Sequence, residues 1–117
     1  MRLATAVFLI LTLTASAASI EAVFDSPAAT ITGLAYGSDH LWALDWATKT
    51  VFILDPSSGA VTSSFGVSYL PPAYECFGLA VTNDTLYISW LKYGGPDSYY
   101  VRHDAYTGAS MGVVSLC

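Results

Sequence analysis

Positive charge is scarce in this chain of 117 residues, which has four Lys and Arg against nine acidic side chains and a net charge of −5. Arg2 lies in a segment expected to be removed, so only Lys49, Lys92 and Arg102 remain to oppose the acids. Binding a phosphate backbone takes clustered Lys and Arg, so no nucleic-acid partner is expected. An anionic lipid surface is disfavoured on the same ground. Histidine is as sparse: His40 and His103 have no Cys or carboxylate at a metal-ligand spacing, so both read as structural, and neither a metal nor a cofactor is expected. The sequence also lacks a Gly-x-Ser-x-Gly nucleophile turn, a phosphate loop and a calcium loop. After the first eighteen residues no apolar run approaches the ~20 residues of a spanning helix.

Those first residues, MRLATAVFLILTLTASAA, combine one positive charge, an apolar run and a small-residue Ala15-Ser16-Ala17 exit. This is the form of a secretory signal peptide over 1–18; the alternative is an uncleaved anchor. The mature product is expected to be secreted, periplasmic or at the cell surface, with no membrane contact after cleavage.

What the chain has in quantity is short apolar bursts, repeated. Gly33-Leu34-Ala35 returns as Gly78-Leu79-Ala80 and Leu41-Trp42 as Leu86-Tyr87. Asp55-Pro56-Ser57-Ser58-Gly59 returns as Asp104-Ala105-Tyr106-Thr107-Gly108, with extra residues near Tyr93-Gly94-Gly95-Pro96. Bursts of about 4–8 residues rich in Trp, Val, Ile, Tyr and Phe suit strands. The first copy predicts strands at 31–36, 40–46, 50–55 and 60–65, the second at 77–82, 85–90, 98–104 and 109–114. Gly37-Ser38-Asp39 and Asn83-Asp84 tolerate left-handed backbone and mark tight turns. In the Asp-x-x-Ser/Thr-Gly segments a carboxylate accepts backbone N–H bonds and a Gly supplies positive φ, so Asp55, Gly59, Asp104 and Gly108 are structural turn residues rather than acid/base pairs. Asn83-Asp84-Thr85 also satisfies a glycosylation sequon but reads first as a hairpin turn.

Two four-stranded antiparallel meanders at a period of 40–50 residues resemble blades of a β-propeller, and the residues are similar to the secreted YVTN, streptogramin-lyase and quinoprotein-like propeller superfamilies. Phe77-Gly78 followed by Leu86-Tyr87 also resembles glutamine-cyclising propellers, except that Leu79-Ala80 stands where those carry an acid. The resemblance implies an all-β fold of about two blades, 31–68 and 69–117, preceded by an N-terminal outer strand and linker at 19–30. Ile20–Phe24 resembles the fourth strand of a blade, the counterpart of Val61–Phe65. It also implies further blades as partners, from a longer chain or from other copies. A blade buries both faces, and at about 25 cal/mol per Å2 an open face of roughly several hundred Å2 forfeits on the order of 10 kcal/mol, as much as the roughly 5–15 kcal/mol of a whole domain.

No catalytic residue stands out, and the expected role is a non-enzymatic binding or scaffold module. The alternative is the N-terminal part of a propeller enzyme of lyase, lactonase, quinoprotein oxidoreductase or glutamine-cyclising type, with its catalytic residues beyond residue 117. In a propeller, the loops between second and third strands share one end of the fold with the connectors between blades. That grouping selects Trp46, Lys49, Tyr69, Tyr74, Tyr93 and Asp97 as ligand-binding candidates, aromatics beside charge suited to a glycan or a peptide. Cys76 is placed just before the first strand of the second blade and Cys117 just after its fourth. Those strands stand about three 4.8 Å spacings apart, so a disulfide needs the connector to turn inward; were more sequence to follow Cys117, that residue could pair elsewhere. Arg102, where the first copy has Ile53, is expected to pack its stem and leave its head in solvent or paired with Asp104.

Overall fold

Among the described residues eight strands divide into two sheets of four, and within each sheet every strand pairs antiparallel with its neighbours in sequence. The computed structural model describes residues 19, 23–68, 74–92, 94–95 and 98–115. Blade 1 holds β1 (Ile31–Gly37), β2 (His40–Asp45), β3 (Thr50–Leu54) and β4 (Val61–Gly66). Blade 2 holds β5 (Tyr74–Thr82), β6 (Thr85–Lys92), β7 (Ser98–Asp104) and β8 (Ser110–Ser115). The all-β meander architecture read from the sequence is therefore the one observed. Leader residues 1–18 lie outside the described residues, as do Ile20 to Ala22; Val23 and Phe24 run irregularly into blade 1.

The turns explain why the strands end where they do. Ser38 and Asp39 have φ of 46° and 61°, Asn83 and Asp84 of 48° and 63°. Two consecutive left-handed residues make the tight hairpins closed by the Gly37–His40 and Thr82–Thr85 pairs. The repeat extends to its irregularities, since the register shifts between Ile31 and Gly33 recur between Cys76 and Gly78, and those between Ile53 and Leu54 recur between Arg102 and His103. Two boundaries differ from the sequence expectation by more than one residue: β5 starts at Tyr74 and β6 runs to Lys92, because 74–76 pair with 92–90. Cys76 consequently lies inside a strand opposite Trp90, fully buried, rather than ahead of it.

The core lies between the blades. Trp42, Leu44, Val51 and Ile53 of blade 1 meet Leu86, Ile88, Trp90 and Val101 of blade 2, all essentially inaccessible to water. The innermost strands β1 and β5 touch because blade 1 carries glycine there. A Cβ on Gly33 would stand 3.0 Å from the Leu79 Cβ, and one on Gly37 3.2 Å from the Val81 Cγ1. The indole N–H of Trp42 crosses the interface to donate to the Ala105 carbonyl at 2.7 Å. At the outer rim, the Phe65 ring lies directly on the Cα of Gly108, leaving no room for a side chain.

Candidate functional site

Asp45, at the end of β2, is 2% exposed although it is charged. Thr30 Oγ1 and Thr48 Oγ1 donate to its two carboxylate oxygens, the latter at 2.6 Å, and the Ala47 amide adds a third bond at 3.3 Å. The Thr30 hydroxyl, then that of Thr48, hold its carboxyl below the usual carboxylate range against the opposing pull of burial. The group thus fixes the turn that carries Trp46 and Lys49. Trp46 is 37% exposed beside it. Lys49 has φ of 52°, its carbonyl accepts the Val67 N–H at 2.8 Å, and its Nζ stands 5.9 Å from the centre of the Trp90 ring. Within blade 2, Tyr74 of β5 meets Tyr99 of β7 edge-on at 5.5 Å.

The same end of the molecule therefore collects Trp46 and Lys49 from blade 1 and Tyr74 from the start of blade 2. Tyr69, Tyr93, Asp97 and Cys117 lie outside the described residues. Two residues join the site that sequence reasoning passed over. Trp90 is fully buried and Glu75 half-buried, and neither Trp90 Nε1 nor Glu75 Oε2, both shielded from solvent, has a hydrogen-bond partner among the described residues. An unpaired buried donor or acceptor costs about 1–3 kcal/mol, so each is primed to accept a partner. The signal was present in the repeat, where Trp90 occupies the place of Asp45 and Glu75 that of Thr30. In blade 1 these two positions satisfy each other; in blade 2 they do not. Burial pushes the Cys76 thiol between them above its ordinary range, which makes it inert as a nucleophile.

The remaining polar groups serve the turns. Asp55 accepts from the Ser57 hydroxyl and amide, and Asp104 from the amides of Thr107 and Tyr106 at 2.9 and 3.0 Å. These bonds hold both carboxyls below their usual range, in Asp55 through the Ser57 hydroxyl first and in Asp104 through the Thr107 amide first. Gly59 and Gly108 close the turns at φ of 75° and 76°, each donating to the Asp carbonyl four residues back. His103, in the place of Leu54, is buried. Its Nδ1 donates to the Gly108 carbonyl at 2.9 Å and its Nε2 accepts from the Ser68 amide at 3.3 Å, tying the blade 2 turn to the connector. The Arg102 guanidinium donates to the Met111 carbonyl at 3.0 Å, an exposed bond, in place of the alternative pairing with Asp104. Asp104 is already engaged by its own turn, and the β7–β8 register shift brings the carbonyl within reach. Among the described residues no group of three His, Cys, Asp or Glu is placed to hold a metal ion.

No known family pattern matches the chain, and no curated protein is similar enough to match. Among solved structures the chain is similar to BamB from Moraxella catarrhalis, at 18% identity and a TM-score of 0.45. The match covers 79% of this chain but 29% of that one, so the chain spans less than a third of the length of that protein. The two sheets, each four antiparallel strands in meander order, have the form of β-propeller blades.

Proposed function

We propose that the chain is an exported pair of propeller blades, led by an N-terminal outer strand and linker at 19–30, that acts as a non-enzymatic binding module within a ring completed by further blades. The observation that carries the binding role is the end surface bearing Trp46, Lys49 and Tyr74, beneath which Trp90 Nε1 and Glu75 Oε2 are buried without a hydrogen-bond partner among the described residues. A glycan or a peptide presents apolar faces that these aromatics can cover and polar groups that Lys49 can bind. Tyr69, Tyr93 and Asp97 complete this surface in the proposal. Glycan and peptide arrays probed with the chain are expected to give ligands whose binding falls about tenfold or more, a loss of about 1.4 kcal/mol, in Trp46→Ala, Lys49→Ala and Tyr74→Ala. Ligands indifferent to all three substitutions would place binding elsewhere.

A further inference from the structure

The contact between blades has a template that can be carried one repeat in either direction. Blade 1 offers Gly33 to Leu79, the Trp42 indole to the Ala105 carbonyl and the Phe65 ring to Gly108. On the outer face of blade 2 the same places hold Gly78 and Tyr87, which line a shallow apolar hollow of about 280 Å3. On the outer face of blade 1, Leu34 stands where Leu79 would, Leu41 where Leu86 would and Gly59 where Gly108 would. Leu34 and its neighbour on that face, Tyr36, are each 63% exposed. The two outer flanks of one chain are thus matched to each other. Such a heterologous match adds copies head to tail and grows into a filament wherever the rotation does not close a ring.

One seat in that contact is already taken. Phe24 lies on Gly59 as Phe65 lies on Gly108, again with no room for a Cβ beneath the ring. In a head-to-tail contact that seat belongs to Val114 of the incoming copy, the counterpart of Phe65 in blade 2. We propose that Phe24 is a plug that bars a second copy from adding head to tail onto blade 1. This rests on the reading of the two sheets as propeller blades.

Cross-linking tests it. Gly37 meets Val81 between the blades, so the matching pair between copies is Thr82 and Tyr36, both exposed. Chains carrying Tyr36→Cys are mixed with chains carrying Thr82→Cys, all with Cys117→Ser, and oxidised. With Phe24 intact, little disulfide-linked dimer is expected; with Phe24→Ser the yield should rise about tenfold, and Phe24→Leu, which keeps bulk over Gly59, should match the parent. Equal yields with Phe24 and with Ser, high or low, overturn the plug. An in-chain Gly37→Cys/Val81→Cys disulfide is measured in every background. If it fails to form with Phe24 intact, the blade packing itself is wrong; if it forms in both backgrounds, any failure belongs to the plug alone.

Discussion

At the residue scale, charge is kept where a turn needs an acceptor. Asp45, Asp55 and Asp104 all have carboxyls held below their ordinary range by hydroxyl and amide donors. A depressed folded-state value means that the stabilisation is present above the unfolded Asp value of about 3.9 and is lost as pH falls through the folded value. Thermal melts are therefore expected to be flat from neutrality down to about pH 4 on account of these groups and to drop steeply below it. In Asp45→Asn the acid-side drop should shrink, while the neutral-pH melt falls because the Ala47 amide and the two threonines lose a charged acceptor. A variant with unaltered acid sensitivity would show that Asp45 carries none of it. The pairing of Asp45 with Thr30 was not legible in the sequence, since nothing local reveals that a residue fifteen positions upstream donates to it.

At the scale of elements, the blade edges depend on glycines for two separate reasons. Gly108 needs its positive φ of 76° and also the space that the Phe65 ring fills. Gly108→Ala is accordingly expected to lose about 1–3 kcal/mol from backbone strain, with a further loss from the displaced ring, measured by chemical denaturation. A loss below about 0.5 kcal/mol, the range of ordinary surface changes, would contradict the packing. Most strand ends and both tight turns could be read directly, because Ser38-Asp39 and Asn83-Asp84 announce left-handed backbone and the apolar bursts alternate between them. The start of β5 could not be, because Tyr74 and Glu75 follow two prolines and become strand only through pairing with Leu91 and Lys92. For the same reason the burial of Cys76 and Trp90 escaped notice. The partner of Arg102, the Met111 carbonyl, was not legible because it depends on a register shift that side-chain patterns do not encode.

At the scale of the molecule, both outer flanks are apolar. Leu34 and Tyr36 on one side, and Phe77 at 43% exposure with the Tyr87–Tyr100 ring pair on the other, face outward. Exposed patches of this kind mark contact surfaces in soluble proteins. The isolated chain should bind a hydrophobic dye such as ANS in its native state, and covering a flank with a further blade should remove that signal. A chain that melts sharply, binds no dye and stays monomeric would mean that the pair of sheets is self-sufficient.

The neighbour-only strand order also governs how the chain takes shape as it is made. Blade 1 finds all its pairing partners once Gly66 has left the ribosome, because none of its strands waits for a later one. The Trp42 indole, by contrast, has no acceptor until Ala105 is synthesised. For that interval the finished sheet has its interface face uncovered.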